Sequence, residues 1–309
     1  MKNQLLPEGF RDSLLDAAET EFKINNICLE LMKKFGFQYV KPPLVEFENS
    51  LFLNNDKQKN ESFRILDPLS QKVMAIRSDI TSQIARISCG SLSKNSRPLK
   101  LCYSGEVLKV KNNNLRMSRQ STQLGAEIIG ISDNLIILEI IDLIVKILKK
   151  LKFKNYFINL SMPNLVRAIS KDYKLSDKDH NLLVNGYKNK NLDEIETLGI
   201  EVIEISKFLL SCIGDAQKSL DKLKVYKFKS NINKEVLSFT DAITNIKTNF
   251  ESDKIYIDPL EVDEIDYHCI ISFKIYSEGF TELFNGGFYE VNGERCIGFS
   301  GLVENLIKK

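Results

Sequence analysis

The sequence has no marked excess of charge of either sign. It contains 43 Lys and Arg against 41 Asp and Glu in 309 residues, so its formal net charge is +2. A protein whose main task is to coat a nucleic-acid backbone needs clustered, excess Lys and Arg. The charge balance therefore argues against that class. Glycine and proline are also few, with 15 and 7 residues, which excludes fibrous and low-complexity architectures.

Long uncharged apolar runs and closely spaced cysteines are missing as well. The most apolar stretch, residues 135–151, contains Glu139, Asp142 and Lys146, which would be costly in lipid, so we interpret it as a buried helix. None of the six cysteines forms a CxxC pair or shows zinc-finger spacing. The chain also opens without an apolar signal region. We therefore expect reduced thiols, no metal ion and a cytoplasmic protein.

Several motifs that carry chemistry are absent. The sequence contains no GxxxxGK, GxGxxG, GxSxG or HExxH pattern. Phosphate-binding loops, dinucleotide-binding turns, nucleophile elbows and zincin metal sites therefore have no support in the sequence. We expect a protein without a cofactor.

The first fifty residues predict a helix followed by a strand. Residues 12–35 carry apolar side chains at helical spacing, and Gly36 is placed to end the helix. The predicted buried stripe consists of Leu15, Ala18, Phe22, Leu29 and Met32. Residues 36–47 are rich in aromatic and β-branched residues, which indicates strand structure, and Pro42 and Pro43 predict a stiff kink there.

The remaining patterns predict an α+β fold. A hairpin is expected around residues 67–71, and a helix is expected to begin at Thr81. Residues 98–111 and 119–130 predict two strands that pair antiparallel, and residues 301–309 predict a short final helix. The order of elements indicates a mostly antiparallel sheet flanked by helices.

The amino-acid composition changes twice along the chain, and these changes suggest domain boundaries. We expect a core domain whose first part is residues 1–162 and whose last strands and helix are residues 251–309. Residues 163–250 are rich in Lys, Asn, Asp and Leu, with weak turn signals, and are predicted to form a small helical insertion.

Three stretches carry polar side chains that could face one cleft. These stretches contain Asp79 with Thr81, Gln123 with Glu127, and Asp266 with Tyr267 and His268. On one strand, Gln123 and Glu127 would point to the same face and flank a gap left by Gly125. A glycine there would let a ligand approach, and the amide and carboxylate suit a zwitterionic or basic ligand. A half-solvated strand with a bulge is the alternative, which the spacing alone favours.

Two further features, a cluster of basic residues and a histidine, each allow more than one interpretation. Residues 107–126 carry a local charge of +4 with no acidic residue, from Lys109, Lys111, Arg116 and Arg119. This arm could contact phosphate or an acidic partner, or it could be a solvated hairpin. His268 is one of only two histidines, and such a residue is more often packed or on the surface than a ligand or base.

A series of segments resembles a known family over nearly the whole chain. The segments are LLPEGFRD, GFQYVKPPLVEF, IRSDITSQIAR, LCYSGEVLKV, QLGAEIIG, DYHCIISFKIY, NGGFYE and IGFSGLVENL. Together they resemble the catalytic domain of histidyl-tRNA synthetase and, most of all, its non-catalytic paralogues, the regulatory subunits of ATP phosphoribosyltransferase. The resemblance implies a class II aminoacyl-tRNA synthetase-like antiparallel sheet flanked by helices, with a small helical insertion.

Departures from the synthetase motifs affect the nucleotide half of the site. Lys109 stands where the resemblance places the motif-two arginine that binds the ATP α-phosphate, and Lys111 replaces a nearby acidic residue. Lysine cannot supply the planar, two-pronged donor set of arginine. Asn305 replaces the motif-three arginine, and the chain is expected to lack an anticodon-binding domain. We therefore expect a subunit that is not catalytic on its own.

The amino-acid half of the site matches the family better. The resemblance implies an allosteric histidine site formed by Asp79, Thr81, Gln123, Glu127, Tyr267 and His268. Asp79 and Thr81 would hold the ammonium group of the ligand, and Gln123 and Glu127 would contact its main-chain end and imidazole. Asp263 stands where the family usually has an arginine.

These matches imply a function. The chain would assemble with the short-form catalytic subunit of ATP phosphoribosyltransferase, activate the first step of histidine synthesis and carry feedback inhibition by free histidine. A homodimer formed through residues 12–47 is expected inside the hetero-oligomer, with no membrane and no tRNA as partners. Two alternatives are a truncated synthetase-like enzyme that adenylates an amino acid and an accessory protein that binds tRNA through the basic arm.

Overall fold

The structure is a computed structural model of the chain. It describes residues 6–52, 59, 62–110, 118–250, 254–262 and 268–308. The chain divides into two compact units, each of which is described by itself. Unit 1 comprises residues 1–130, 143–153 and 298–309, and unit 2 comprises residues 131–142 and 154–297.

The secondary structure of the described residues is mixed. The helices are α1 (Leu15–Lys34), α2 (Glu48–Phe52), α3 (Thr81–Cys89), α4 (Ile137–Lys150), α5 (Leu165–Asp172), α6 (Asp177–Lys188), α7 (Ile200–Ser211), α8 (Ala216–Val225) and α9 (Ser230–Asn249). The strands are β1 (Gln38–Tyr39), β2 (Val45–Phe47), β3 (Arg64–Leu66), β4 (Val73–Ile76), β5 (Leu99–Leu108), β6 (Gln120–Ile129), β7 (Tyr156–Ser161), β8 (Gly214–Asp215), β9 (Ile255–Ile257), β10 (His268–Ser277), β11 (Glu282–Val291) and β12 (Glu294–Leu302). In the part of the chain that is described, no helix is both long and apolar enough to cross a membrane.

Helix α1 forms where the apolar periodicity predicts it and ends as expected. Gly36 adopts φ +85°, its N–H donates to the Lys33 carbonyl, and the Phe37 N–H donates to the Met32 carbonyl. These two bonds form a Schellman motif, in which a residue with positive φ satisfies the last carbonyls of the helix.

The predicted buried face of α1 is confirmed at Met32 but wrong at Leu15 and Phe22. The residues that α1 buries are Ile24, Cys28 and Met32, whereas Leu15 is 87% exposed and Phe22 is 61% exposed. Residues 24, 28 and 32 follow one another at steps of four and so share one stripe of the helix. The apolar residues of α1 cover more than this stripe, so spacing alone did not identify the side that packs.

Two sheets shape unit 1. Strand β1 pairs parallel with β5, and β5 pairs antiparallel with β6 over ten residue pairs, which confirms the two long strands predicted from the sequence. The second sheet has the order β2-β4-β3, and β3 and β4 form the predicted hairpin around residues 67–71. Helix α3 begins at Thr81, as predicted.

Unit 2 contains strands in the order β11-β10-β7-β9-β8 and the helices α5 to α9. The β7–β9 pair is parallel, while β10 pairs antiparallel with both β7 and β11. Among the strand pairs of the described residues with a defined register, β1–β5 and β7–β9 are parallel and the antiparallel pairs are in the majority; the sequence did not indicate the parallel pairs. Residues 163–250, the predicted insertion, contain α5 to α9 and the two-residue strand β8.

The short final helix predicted for residues 301–309 is reduced to a 3-10 turn. Strand β12 continues to Leu302, and in the part of the chain that the structure describes a short 3-10 turn, Val303–Leu306, follows it. Cys296, Ile297 and Phe299 of this strand are buried, and Val303 and Leu306 of the turn are also buried. Burial of Cys296, Ile297 and Phe299 favours the extended strand here.

Candidate functional site

Arg77 fixes the junction between β4 and α3. Its guanidinium donates hydrogen bonds to the Pro42 carbonyl (3.0 Å) and the Glu106 carbonyl (2.7 Å), and the residue is buried. A Cβ atom on Gly105 would lie only 2.1 Å from Nη2 of Arg77, so only glycine leaves room for this arginine. Burial lowers the pKa of Arg77, an effect that the carboxylate of Glu106 opposes. The arginine thus holds the backbone that presents Asp79.

The second half of the IRSDITSQIAR segment forms hydrogen bonds that hold helix α3 in place. Gln83 donates to the Glu46 carboxylate at 2.7 Å, and Arg86 makes two hydrogen bonds to the same carboxylate at 3.0 and 2.5 Å. A two-pronged arginine–carboxylate pair is geometrically specific. These bonds attach α3 to β2 and leave the first residues of the segment to face the candidate site.

Gln123 joins β6 to the start of α3. Its Oε1 accepts a 2.8 Å hydrogen bond from the Ile80 N–H, and its Nε2 donates a 2.7 Å bond to Oδ1 of Asp79. The main-chain N–H can only donate, so the orientation of the amide is determined. The structure therefore brings Asp79 and Gln123 together, and both polar ends of the Gln123 amide are used.

A second chain of hydrogen bonds lies within the same unit. The Tyr103 hydroxyl donates to Oε1 of Glu127 at 3.3 Å and lies 3.1 Å from Oγ1 of Thr81. Because a phenol has one hydrogen, the Thr81 hydroxyl is the donor to Tyr103. All three side chains are buried. Four of the six predicted site residues thus belong to two hydrogen-bonded groups around the start of α3.

Sequence reasoning missed Tyr103, and it misinterpreted Gly125. The β5–β6 register places Tyr103 directly opposite Gly125. A Cβ atom at residue 125 would lie 2.4 Å from the Tyr103 hydroxyl and 2.5 Å from the Phe299 carbonyl oxygen. The glycine therefore makes room for a phenol of the protein and not for a ligand. A large residue facing a glycine on a paired strand is the signal that could have identified Tyr103.

The alternative of a half-solvated, bulged strand is also wrong. The β5–β6 ladder continues without a register shift from Leu99↔Ile129 to Leu108↔Gln120, and residues 123–129 are buried. Glu127 is 1% exposed, and its Oε2 occupies space that a Cβ atom at Gly298 would need, at 1.5 Å. The sequence therefore places a carboxylate in the core of unit 1 and keeps a glycine beside it.

The third predicted stretch lies mostly outside the described residues. Asp263, Asp266 and Tyr267 are among the residues that the structure does not describe. His268 is half-buried, begins β10 in unit 2 and lies opposite Tyr289 of β11. A Cβ atom at Gly287 would lie 3.1 Å from Cδ2 of His268. The glycine in the NGG segment therefore lies within strand β11 and lets the His268 side chain pack close to the backbone of that strand.

Arg119, one of the four basic residues of the predicted arm, makes contacts within unit 1. Lys111 and Arg116 lie outside the described residues, and Lys109 is exposed. The Arg119 guanidinium lies 5.4 Å from the Phe10 ring and 4.6 Å from the Phe63 ring, and it donates to the Glu8 carbonyl at 3.3 Å. Arg119 therefore attaches the LPEGF segment by cation–π contacts and is not a free phosphate ligand.

The motif-three region contains a buried carboxylate. Oε1 of Glu304 accepts a 2.9 Å hydrogen bond from the Thr122 N–H, while Asn305 follows it in the same short turn. Burial raises the pKa of Glu304, and the nearby charges of Glu21 and Glu106 raise it further.

The fold and this arrangement define the class of protein. A mixed sheet flanked by helices is combined here with hydrogen bonds that join the start of α3 to a buried strand. The family described as histidyl-tRNA synthetase matches residues 9–306. A regulatory subunit/histidyl-tRNA synthetase structure from Bacillus halodurans C superposes with a TM-score of 0.87 at 20% identity, covering 99% of this chain and 83% of that one. The fold is therefore that of the class II histidyl-tRNA synthetases, as expected.

The sequence comparison is more specific. The ATP phosphoribosyltransferase regulatory subunit of Paramagnetospirillum magneticum is 31% identical over 291 residues, which cover 94% of this chain and 77% of that protein. An ATP phosphoribosyl transferase (HisG:HisZ) complex from Thermotoga maritima has a TM-score of 0.69 at 20% identity, covering 92% of this chain and 97% of that one. The chain belongs to the histidyl-tRNA synthetase-like family of ATP phosphoribosyltransferase regulatory subunits.

Proposed function

We propose that this chain is a regulatory subunit that assembles with a short-form catalytic subunit of ATP phosphoribosyltransferase in the cytoplasm. The complex would carry out the first step of histidine biosynthesis, and the chain alone would not be catalytic. The observation that carries the proposal is the 31% identity to a regulatory subunit over 94% of the chain. The replacement of both synthetase arginines, by Lys109 and Asn305, supports a role without amino-acid activation.

The proposed effector is free histidine. Its ammonium group would meet Asp79 and Thr81, and its other polar groups would meet Gln123 and Glu127, with Tyr267 and His268 as further candidates. The hydrogen bonds of these four residues support this assignment: Gln123 bonds to Asp79 and to the Ile80 N–H, and Tyr103 bonds to Thr81 and Glu127. They hold carboxylate and amide groups in fixed orientations. Such preorganisation lowers the ordering cost of binding.

Regulation would follow from unequal binding to two quaternary arrangements. A ligand that binds both arrangements equally shifts nothing. A coupling free energy of about 1–3 kcal/mol changes affinity by about 5- to 150-fold, which is enough for feedback control. We propose that this chain forms a homodimer within the complex through residues 12–47, where Leu14, Leu15 and Phe22 are exposed apolar side chains.

Turnover measurements test the assembly. The purified catalytic subunit is assayed for phosphoribosyl transfer to ATP with and without this chain, and then with added histidine. We expect turnover to rise when the chain is added and to fall when histidine follows. Turnover that does not respond to the chain, at concentrations where a complex forms, contradicts the proposal.

A further inference from the structure

Lys190, which lies in the predicted helical insertion, has a fixed backbone at the end of helix α6 of unit 2. It adopts φ +52°, and its N–H donates to the Tyr187 carbonyl at 3.1 Å, while the Asn191 N–H donates to the Gly186 carbonyl at 2.8 Å. These two bonds form a Schellman motif. Tyr187 is fully buried, and its hydroxyl lies 2.7 Å from that of Ser206 in α7. The helices of the insertion therefore determine where the Lys190 side chain begins.

The side chain of Lys190 is paired with a buried carboxylate. Its Nζ lies 2.9 Å from Oδ1 and 2.8 Å from Oδ2 of Asp258, a residue that is 9% exposed. Oδ1 of Asp258 also accepts a 3.0 Å hydrogen bond from the Leu260 N–H. The Asp258 N–H donates to the Leu160 carbonyl of β7 at 2.9 Å. Loss of the lysine would leave a buried charge uncompensated, which is strongly unfavourable.

A second ion pair joins the same segment to β10. Nζ of Lys274 lies 2.5 Å from Oε1 of Glu261, and the two side chains are 22% and 25% exposed. Lys274 belongs to β10, which begins at His268. The segment 254–262 is therefore attached through Asp258 to the insertion and through Glu261 to β10.

This segment leads directly to two residues of the candidate site. Tyr267 and His268 follow Glu261 within seven residues of sequence. A stretch of chain whose flanks are fixed loses less conformational entropy when it is ordered around a ligand, so preorganised flanks favour binding. The pairing of Lys190 with Asp258 is therefore suited to raise the affinity of the site.

We propose that Lys190 is a positioning residue for the histidine site. Through its pair with Asp258, it holds the segment that leads to Tyr267 and His268. This inference rests on the proposed function, and it gives the predicted insertion a role in sensitivity to histidine. Because Lys190 acts on the position of other residues, its loss should weaken inhibition by histidine without changing turnover in the absence of histidine.

Histidine inhibition of the assembled complex tests this role. Turnover is measured without histidine and over a range of histidine concentrations for the parent, Lys190→Met and Lys190→Arg. Lys229→Met is the matched control, because Lys229 forms a 2.6 Å ion pair with Glu201 elsewhere in the insertion. Circular dichroism checks that each variant is folded.

Asp258→Asn, alone and combined with Lys190→Met, shows whether the two residues act as one unit. Asparagine can still accept the hydrogen bond from the Leu260 N–H, but it lacks the charge that pairs with Lys190. If the ion pair is the cause, the double variant should respond to histidine like either single variant. Asp258→Asn also keeps the test informative if Lys190→Met does not fold.

We expect Lys190→Met to need about fivefold or more histidine for half-inhibition, with Lys190→Arg, Lys229→Met and all turnovers without histidine close to the parent. A parent-like response of both Lys190→Met and Asp258→Asn overturns the inference and leaves the proposed function intact. An equal shift in Lys229→Met, a shift that Lys190→Arg does not reverse, additive shifts in the double variant or a loss of turnover without histidine also overturns it. A parent complex that histidine does not inhibit contradicts the proposed effector itself.

Discussion

Gln123 donates a 2.7 Å hydrogen bond from its Nε2 to Oδ1 of Asp79, and this bond joins a buried strand to the start of helix α3. The two residues are 44 positions apart in sequence, yet each determines how the other is oriented. The carboxylate that would receive the ammonium group of an amino acid is therefore held by the sheet. Thr81 and Glu127 are likewise oriented by their hydrogen bonds to the Tyr103 hydroxyl of β5.

Tyr103→Phe should destabilise the protein and weaken histidine binding. The substitution keeps the ring but removes the hydroxyl that bonds to Thr81 and Glu127, both of which are buried. We expect the free energy of unfolding to fall by about 1–3 kcal/mol in urea titrations. The control is Tyr256→Phe, because Tyr256 is 42% exposed and should change by less than about 0.5 kcal/mol. Equal losses in both variants would mean that the hydroxyl of Tyr103 has no special role.

Gly125→Ala should be costly although it adds one methyl group. That carbon would lie 2.4 Å from the Tyr103 hydroxyl and 2.5 Å from the Phe299 carbonyl oxygen. Overpacking of this kind costs about 1–3 kcal/mol of unfolding free energy, measured by urea titration. Gly279→Ala is the control, since the nearest atom to its new Cβ would be 4.0 Å away. A Gly125→Ala variant as stable as the parent would show that the strands accommodate the methyl group.

The sequence predicted most elements of the fold because their signals are local. Helix α1, the β3–β4 hairpin and the β5–β6 pair follow from periodicity and turn residues within a few positions. The buried side of α1 was missed because Phe22 and Leu15 satisfy helical spacing without packing inward. The final helix was predicted too long because the burial of Phe299 and Val303 depends on residues far away in sequence.

The candidate site was predictable only in part. Asp79, Thr81, Gln123 and Glu127 follow from the family resemblance, and their hydrogen bonds are tertiary contacts that spacing does not encode. Tyr103 can be identified as a member of the site only when the register of β5 and β6, which places it opposite Gly125, is known. The helical insertion over residues 163–250 and the histidine-binding role of all six site residues stay predictions.

The stability of the protein should depend on the ionisation of Glu304. Burial raises the pKa of its carboxyl group above the unfolded value, so the folded state binds the proton more tightly. The stability from this group is therefore fully present below the unfolded pKa and is lost as the pH rises through the folded pKa. We expect Glu304→Gln to gain stability relative to the parent as the pH rises from about 4 to neutral.

Urea midpoints of both proteins across this pH range measure the effect. Glu30→Gln, on the exposed side of α1, controls for the loss of one negative charge. A difference between Glu304→Gln and the parent that stays constant with pH would mean that Glu304 does not titrate differently on folding.

The chain alone should not activate an amino acid. Lys109 and Asn305 replace the arginines that the synthetase resemblance places on ATP. We expect no histidine-dependent exchange between ATP and pyrophosphate above the background of buffer, with an authentic histidyl-tRNA synthetase as the positive control. Robust exchange by the pure chain would favour the alternative of a synthetase-like enzyme.

The most direct test of the account is histidine inhibition of the assembled complex, compared between the parent and Asp79→Asn. Asparagine can still accept the hydrogen bond from Gln123, but it lacks the charge that would attract an ammonium group. Each turnover is normalised to the same complex without histidine, and Asp241→Asn on α9 is the control. We predict that Asp79→Asn needs about tenfold or more histidine for half-inhibition, while Asp241→Asn matches the parent. The same half-inhibiting concentration in all three complexes would contradict the proposed histidine site.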